Sequence, residues 1–122
     1  MSSMLISIVD DDPSVRGATA DLLNSLGYAV IGFESAEQFL GSGQINSTGC
    51  LITDQQLPGL TGTELQAQLH ADGYQTPIIF ITAFPQPSIR KQALEAGAVA
   101  FLAKPFEQAD LLKSLESAFS IH

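Results

Sequence analysis

Residues 77–82 read Pro77-Ile78-Ile79-Phe80-Ile81-Thr82. Four consecutive apolar residues between a proline and a hydroxyl decide the fold class. A strand with one wet face alternates apolar and polar residues; this run does not, which fits a central strand of a parallel sheet covered on both faces. Outward from it, further apolar runs rich in β-branched residues place strands over Leu5 to Val9, Ala29 to Phe33, Cys50 to Thr53, Pro77 to Ile81 and Val99 to Leu102. Segments of helical periodicity separate them, so the expectation is a single α/β domain over residues 1–122, a flavodoxin-like (βα)5 sandwich around a five-stranded parallel sheet.

The helices carry their own punctuation. Ser35 with Gln38 and Thr61 with Glu64 read as capping boxes, and Gly27 and Gly97 sit where helix-ending glycines belong. Val15, Ala18, Leu22 and Leu26 are expected to share the buried face of the first helix. Leu111, Leu115, Ala118 and Phe119 do the same for the last. The stretch Gly41 to Gly49 reads as a surface loop. The chain stops at His122, directly after the fifth helix, so no effector domain is expected within it. It either works alone or is a fragment of a longer parent.

Thirteen acidic residues against five basic ones give a net charge of −8. Such a chain repels nucleic acid and anionic membrane surfaces, which argues against direct nucleic-acid binding. No apolar run is long enough to span a bilayer, and the opening MSSMLIS is too short and lacks the basic flank of a signal peptide, which favours a cytoplasmic protein. The lone Cys50 lies in an apolar run and reads as a buried structural thiol.

Ligands of open parallel sheets bind beyond the carboxyl ends of the strands. There the sequence places Asp10, Asp11 and Asp12 after the first strand, Asp54 after the third, Thr82 after the fourth and Lys104-Pro105 after the fifth. Singly, each has a plainer reading. Asp12 before Pro13 is an N-cap, Asp54 a loop acid, Lys104 a solvated charge and Thr82 a strand-end hydroxyl. Jointly they crowd carboxylates around one ammonium, which a bound cation would resolve. Hard oxygen ligands point to Mg2+. A carboxylate can attack phosphorus while cation and ammonium offset charge on the transferred group.

In the segments IVDDDPSVR, ITDQQLPGLTGTEL, FITA and AGAVAFLAKPF, in this order and spacing, the chain resembles the receiver domains of two-component response regulators. GFESAEQFL and AKPFE are most similar to the nitrogen-fixation regulator type, whose members usually carry a LuxR-type helix-turn-helix output. The resemblance implies that Asp54 is the phosphoacceptor and that Asp10, Asp11 and Asp54 hold Mg2+ with the Gln56 backbone carbonyl. It implies that Lys104 and Thr82 contact the phosphoryl group, that Thr82 and Phe101 form a switch, and that Lys104–Pro105 is a cis peptide. It also implies a sensor histidine kinase as donor, docking near Gly17 and Ala20, and a phosphorylation-dependent homodimer. Gln56 and Phe84 occupy variable positions of the family. Phe84-Pro85-Gln86-Pro87 is less usual there, and its two prolines stiffen a loop expected to move.

Two rivals keep the fold class. A haloacid-dehalogenase-type phosphatase would use Asp10 as nucleophile in Asp10-x-Asp12, but needs later acids that no matching strand end offers. A flavodoxin-like cofactor binder would want a hydroxyl-rich phosphate loop where three aspartates stand. A third alternative, a pseudo-receiver acting by protein contact alone, keeps the fold without the chemistry.

Overall fold

The computed structural model describes residues 5–120. Strands and helices alternate without exception: β1 (Leu5–Val9), α1 (Pro13–Ser25), β2 (Ala29–Phe33), α2 (Ala36–Leu40), β3 (Thr48–Thr53), α3 (Gly62–Ala71), β4 (Ile78–Thr82), α4 (Pro87–Glu95), β5 (Ala100–Ala103) and α5 (Gln108–Ser120). All strand pairs are parallel, in the order β2-β1-β3-β4-β5. That is the flavodoxin-like order, with its topological switch between β1 and β3.

The side-chain period of two sorts each central strand onto two cores. Ile6, Ile8, Cys50, Ile52, Ile79 and Ile81 pack with Leu23 of α1 and Leu111, Leu115 and Ala118 of α5. Val9, Leu51, Ile78, Phe80 and Phe101 pack with Phe39, Leu65, Leu69 and Ala93 of α2, α3 and α4. All five β4 residues are buried, as a strand apolar on both faces requires. Each fully buried Ile, Leu or Phe contributes roughly 1.5–3 kcal/mol relative to exposure. Cys50 is buried among these side chains, and burial pushes its thiol up to about 12.

Several local expectations shift. β3 begins two residues early, at Thr48, whose hydroxyl bonds that of Ser7 at 2.7 Å and donates to the Gln44 carbonyl at 2.7 Å. The loop is therefore shorter than Gly41 to Gly49. β4 starts after Pro77, which has no N–H for the ladder, and runs to Thr82; β5 is displaced by one residue to Ala100–Ala103. In α1 the buried residues are Thr19 and Leu23, not the expected face: Ala18 and Leu26 are exposed, with Val15 and Leu22 partly buried. Adjacent leucines at 22 and 23 allow either rotation of an amphipathic helix, and a buried threonine disguises the true one.

Capping is as the sequence implies for Thr61, whose box with Glu64 is complete. Ser35 Oγ accepts from Gln38 N–H, but the Gln38 side chain accepts from Glu34 N–H, one residue before the cap. Gly27 and Gly97 end their helices at φ of 95° and 102°. The α5 face is as expected, with Phe119 partly buried and stacked on Tyr28.

Candidate functional site

The site lies at the carboxyl edge, across the switch point. Asp10 follows β1 and Asp54 follows β3. Their backbones are fixed by the sheet, Asp10 N–H donating to Phe33 carbonyl and Asp54 N–H to Val9 carbonyl. Asp10, Asp11 and Asp54 each offer a carboxylate oxygen, all within 4.8 Å of one another. Asp10 and Asp54 are buried, whereas Asp11 is exposed and makes no hydrogen bond or ion pair among the described residues.

Lys104, delivered by β5 from 94 and 50 residues away, bridges the two buried acids. Its Nζ lies 3.0 Å from Asp10 Oδ2 and 3.0 Å from Asp54 Oδ2. Burial pulls the ammonium down, but its hydrogen bonds to Asp54 and Asp10, with their charges, outweigh that and hold it above its usual value. The second oxygens take backbone donors: Asp12 N–H to Asp10 Oδ1 at 2.9 Å and Gln56 N–H to Asp54 Oδ1 at 3.1 Å. The Lys104–Pro105 peptide is cis.

Three carboxylates face one ammonium. At this spacing Asp10 and Asp54 repel by roughly 3–4 kcal/mol at an effective dielectric near 20. Lys104 offsets much of that and leaves Asp11 uncompensated. An all-oxygen, net-anionic donor set of this kind fits a hard divalent cation such as Mg2+.

Thr82 sits at the end of β4 with the parity of Ile78 and Phe80, whose side chains pack on the α3 and α4 side. Its hydroxyl donates to Gln56 Oε1 at 2.6 Å and accepts from Phe84 N–H at 3.2 Å. Phe101 is buried against Phe80, ring centroids 5.6 Å apart. Phe84 is 68% exposed. Asp12 caps α1, its Oδ1 accepting from Ser14 and Val15 N–H.

Sequence reasoning passed over four residues that hold these loops. Arg16 Nη1 donates to the Asp10 carbonyl at 2.6 Å, its stem lying over Gly32. Glu37 Oε2 accepts from Leu60 N–H at 2.9 Å, tying α2 to the β3–α3 loop. Buried Gln55 grips the start of α3 through two hydrogen bonds to Thr63. Gly62 admits Asp54: a Cβ there would stand 2.5 Å from the Asp54 carbonyl oxygen. One of five bases beside three acids was a signal for Arg16. The other three are visible only once distant segments meet.

The model of the response regulator receiver domain family matches residues 6–116. The response regulator protein TodT of Pseudomonas putida is 38% identical over 117 residues, 96% of this chain and 52% of that protein. The transcriptional regulatory protein FixJ of Azorhizobium caulinodans is 35% identical over 95% of this chain and 55% of its own. The chain thus spans about half the length of the curated relatives it matches. Among solved structures, FixJ-N superposes with a TM-score of 0.89 at 34% identity, covering 100% of this chain and 98% of that one.

Proposed function

This chain belongs to the response regulator receiver domain family of two-component signalling, and we propose that it accepts a phosphoryl group on Asp54 from a sensor histidine kinase. The observation carrying this is the Asp54 carboxylate, buried, bridged by Lys104 to Asp10 and open to a cation beside Asp11. In the transfer an Asp54 oxygen bonds to phosphorus while the phosphorus–nitrogen bond of the kinase phosphohistidine breaks and the imidazole takes up a proton. Asp10, Asp11 and Asp54, with the Gln56 carbonyl, would hold Mg2+, which supplies positive charge to the phosphoryl oxygens. Lys104, already paired with Asp54, moves its donors onto the phosphoryl group, and Thr82 gives it a hydroxyl hydrogen bond.

The chain is read as a phosphoacceptor switch rather than a turnover enzyme. Thr82 and Phe101 relay the change to the α4 and β5 face, where a second copy docks on phosphorylation. With relatives named as transcriptional regulators and about twice as long, an output domain in a longer parent carries the response. A net charge of −8 keeps this domain itself off nucleic acid. Among the described residues no helix is long and apolar enough to cross a membrane, and a cytoplasmic location is part of the proposal.

Acetyl phosphate with Mg2+ is expected to add one hydroxylamine-labile phosphoryl group, read by intact mass. Asp54→Asn and chelation of the cation should each abolish it. Equal labelling of Asp54→Asn rejects the assignment.

A further inference from the structure

We infer that the Gln56 side chain is a positioning residue that competes with the phosphoryl group for the Thr82 hydroxyl. The inference rests on the Asp54 reading above and adds a regulatory element to it. A threonine hydroxyl has one proton to give. Here that proton goes to Gln56 Oε1 at 2.6 Å, and the Thr82 hydroxyl oxygen itself accepts from Phe84 N–H at 3.2 Å. Thr82 is fully buried on a rigid strand, whereas Gln56 is exposed on a loop, so the glutamine is the partner able to yield. While Gln56 holds the hydroxyl, Thr82 cannot donate to a phosphoryl oxygen on Asp54.

The same residue touches both ends of the switch. Its backbone N–H holds Asp54 Oδ1 at 3.1 Å, and its side chain holds the hydroxyl 26 residues away. A phosphoryl group arriving on Asp54 therefore displaces the amide from Thr82. Release requires only rotation of the Gln56 side chain. A non-charged hydrogen bond of this kind biases an equilibrium by roughly fivefold, enough to set the resting position without blocking activation.

The test is a double-mutant cycle with beryllofluoride and Mg2+ as the phosphoryl mimic, its affinity measured by calorimetry. Gln56→Met keeps the length and the backbone carbonyl but removes the acceptor. It should tighten beryllofluoride binding roughly fivefold in the wild-type and Thr82→Ser backgrounds and leave Thr82→Ala unchanged. No gain in wild type overturns the inference, and so does an equal gain in Thr82→Ala, which would assign Gln56 to donor access or water. The ligand-free protein gives an independent reading. The Gln56 side-chain carbonyl resonance should move in Thr82→Ala and hold in Thr82→Ser; a resonance indifferent to both overturns the contact whatever Asp54 does. If wild type takes neither beryllofluoride nor acetyl phosphate, the Asp54 reading falls and the inference with it. Normal labelling of Asp54 with no coupling removes the inference alone.

Discussion

The loops after β1 and β3 and the loop after β4 share one edge of the sheet and are held in opposite ways. Around Asp10 and Asp54, side chains from distant segments converge. Lys104 bridges the acids, Arg16 grips the Asp10 carbonyl, Glu37 ties down Leu60, Gln55 locks to Thr63, and Asp12 and Thr61 cap the following helices. The Ala83–Gln86 segment has little of this. Phe84 is largely exposed, the Gln86 cap of α4 makes no side-chain cap bond, and Ala93 is the buried residue of that helix. Phosphoryl transfer needs groups fixed to a fraction of an ångström, while switching needs a segment whose alternatives lie close in energy. On the proposed reading the two requirements fall to different loops, and the Thr82–Gln56 hydrogen bond joins them.

Breaking the tightly held side should give the largest effect. In Gly62→Ala the new Cβ meets the Asp54 carbonyl oxygen, a backbone atom that cannot move aside. A loss of about 2–3 kcal/mol is expected in urea denaturation, with weaker Mg2+ binding because the strain falls on the peptide of Asp54. A change within error would show that this loop is softer than its contacts imply.

Lys104→Met leaves Asp10 and Asp54 facing each other. Lys104 is partly exposed, so the cost lies between the limits for surface and buried pairs, about 1–2 kcal/mol without added cation, and Mg2+ should recover part of it. The sign with pH follows from the raised ammonium. A folded value above the unfolded one stabilises fully below the usual 10.5 and is lost as pH rises through the folded value. The stability gap between wild type and Lys104→Met should thus hold from neutral pH up to about pH 10 and close above it. A gap that widened with alkali would contradict the ion pair.

The smallest effect comes from tightening the loose side. Gln86 already has the extended backbone of an N-cap, with φ −110° and ψ 127°. Gln86→Ser should add about 1 kcal/mol or less, and amide exchange in Ser88 to Arg90 should slow. Unchanged exchange would mean that the α4 start is restrained by something other than its cap.

The strand count, the parallel sheet and the gathering of acids at its edge were legible in the sequence. Continuous apolarity in Ile78 to Ile81, caps at Asp12, Ser35 and Thr61, and acids at successive strand ends are local signals, and local stereochemistry is enough to read them. The sequence did not determine which side of α1 faces the sheet, because Leu22 and Leu23 serve two rotations of one amphipathic helix, and contacts with β1 and β2 select between them. Nor did it reveal Gly62, Glu37 or the hold of Gln56 on Thr82. Each is a relation between atoms 8 to 26 residues apart along the chain, and such a relation has no periodicity or composition to betray it. Only the closure of five βα units onto one edge brings those atoms within bonding distance.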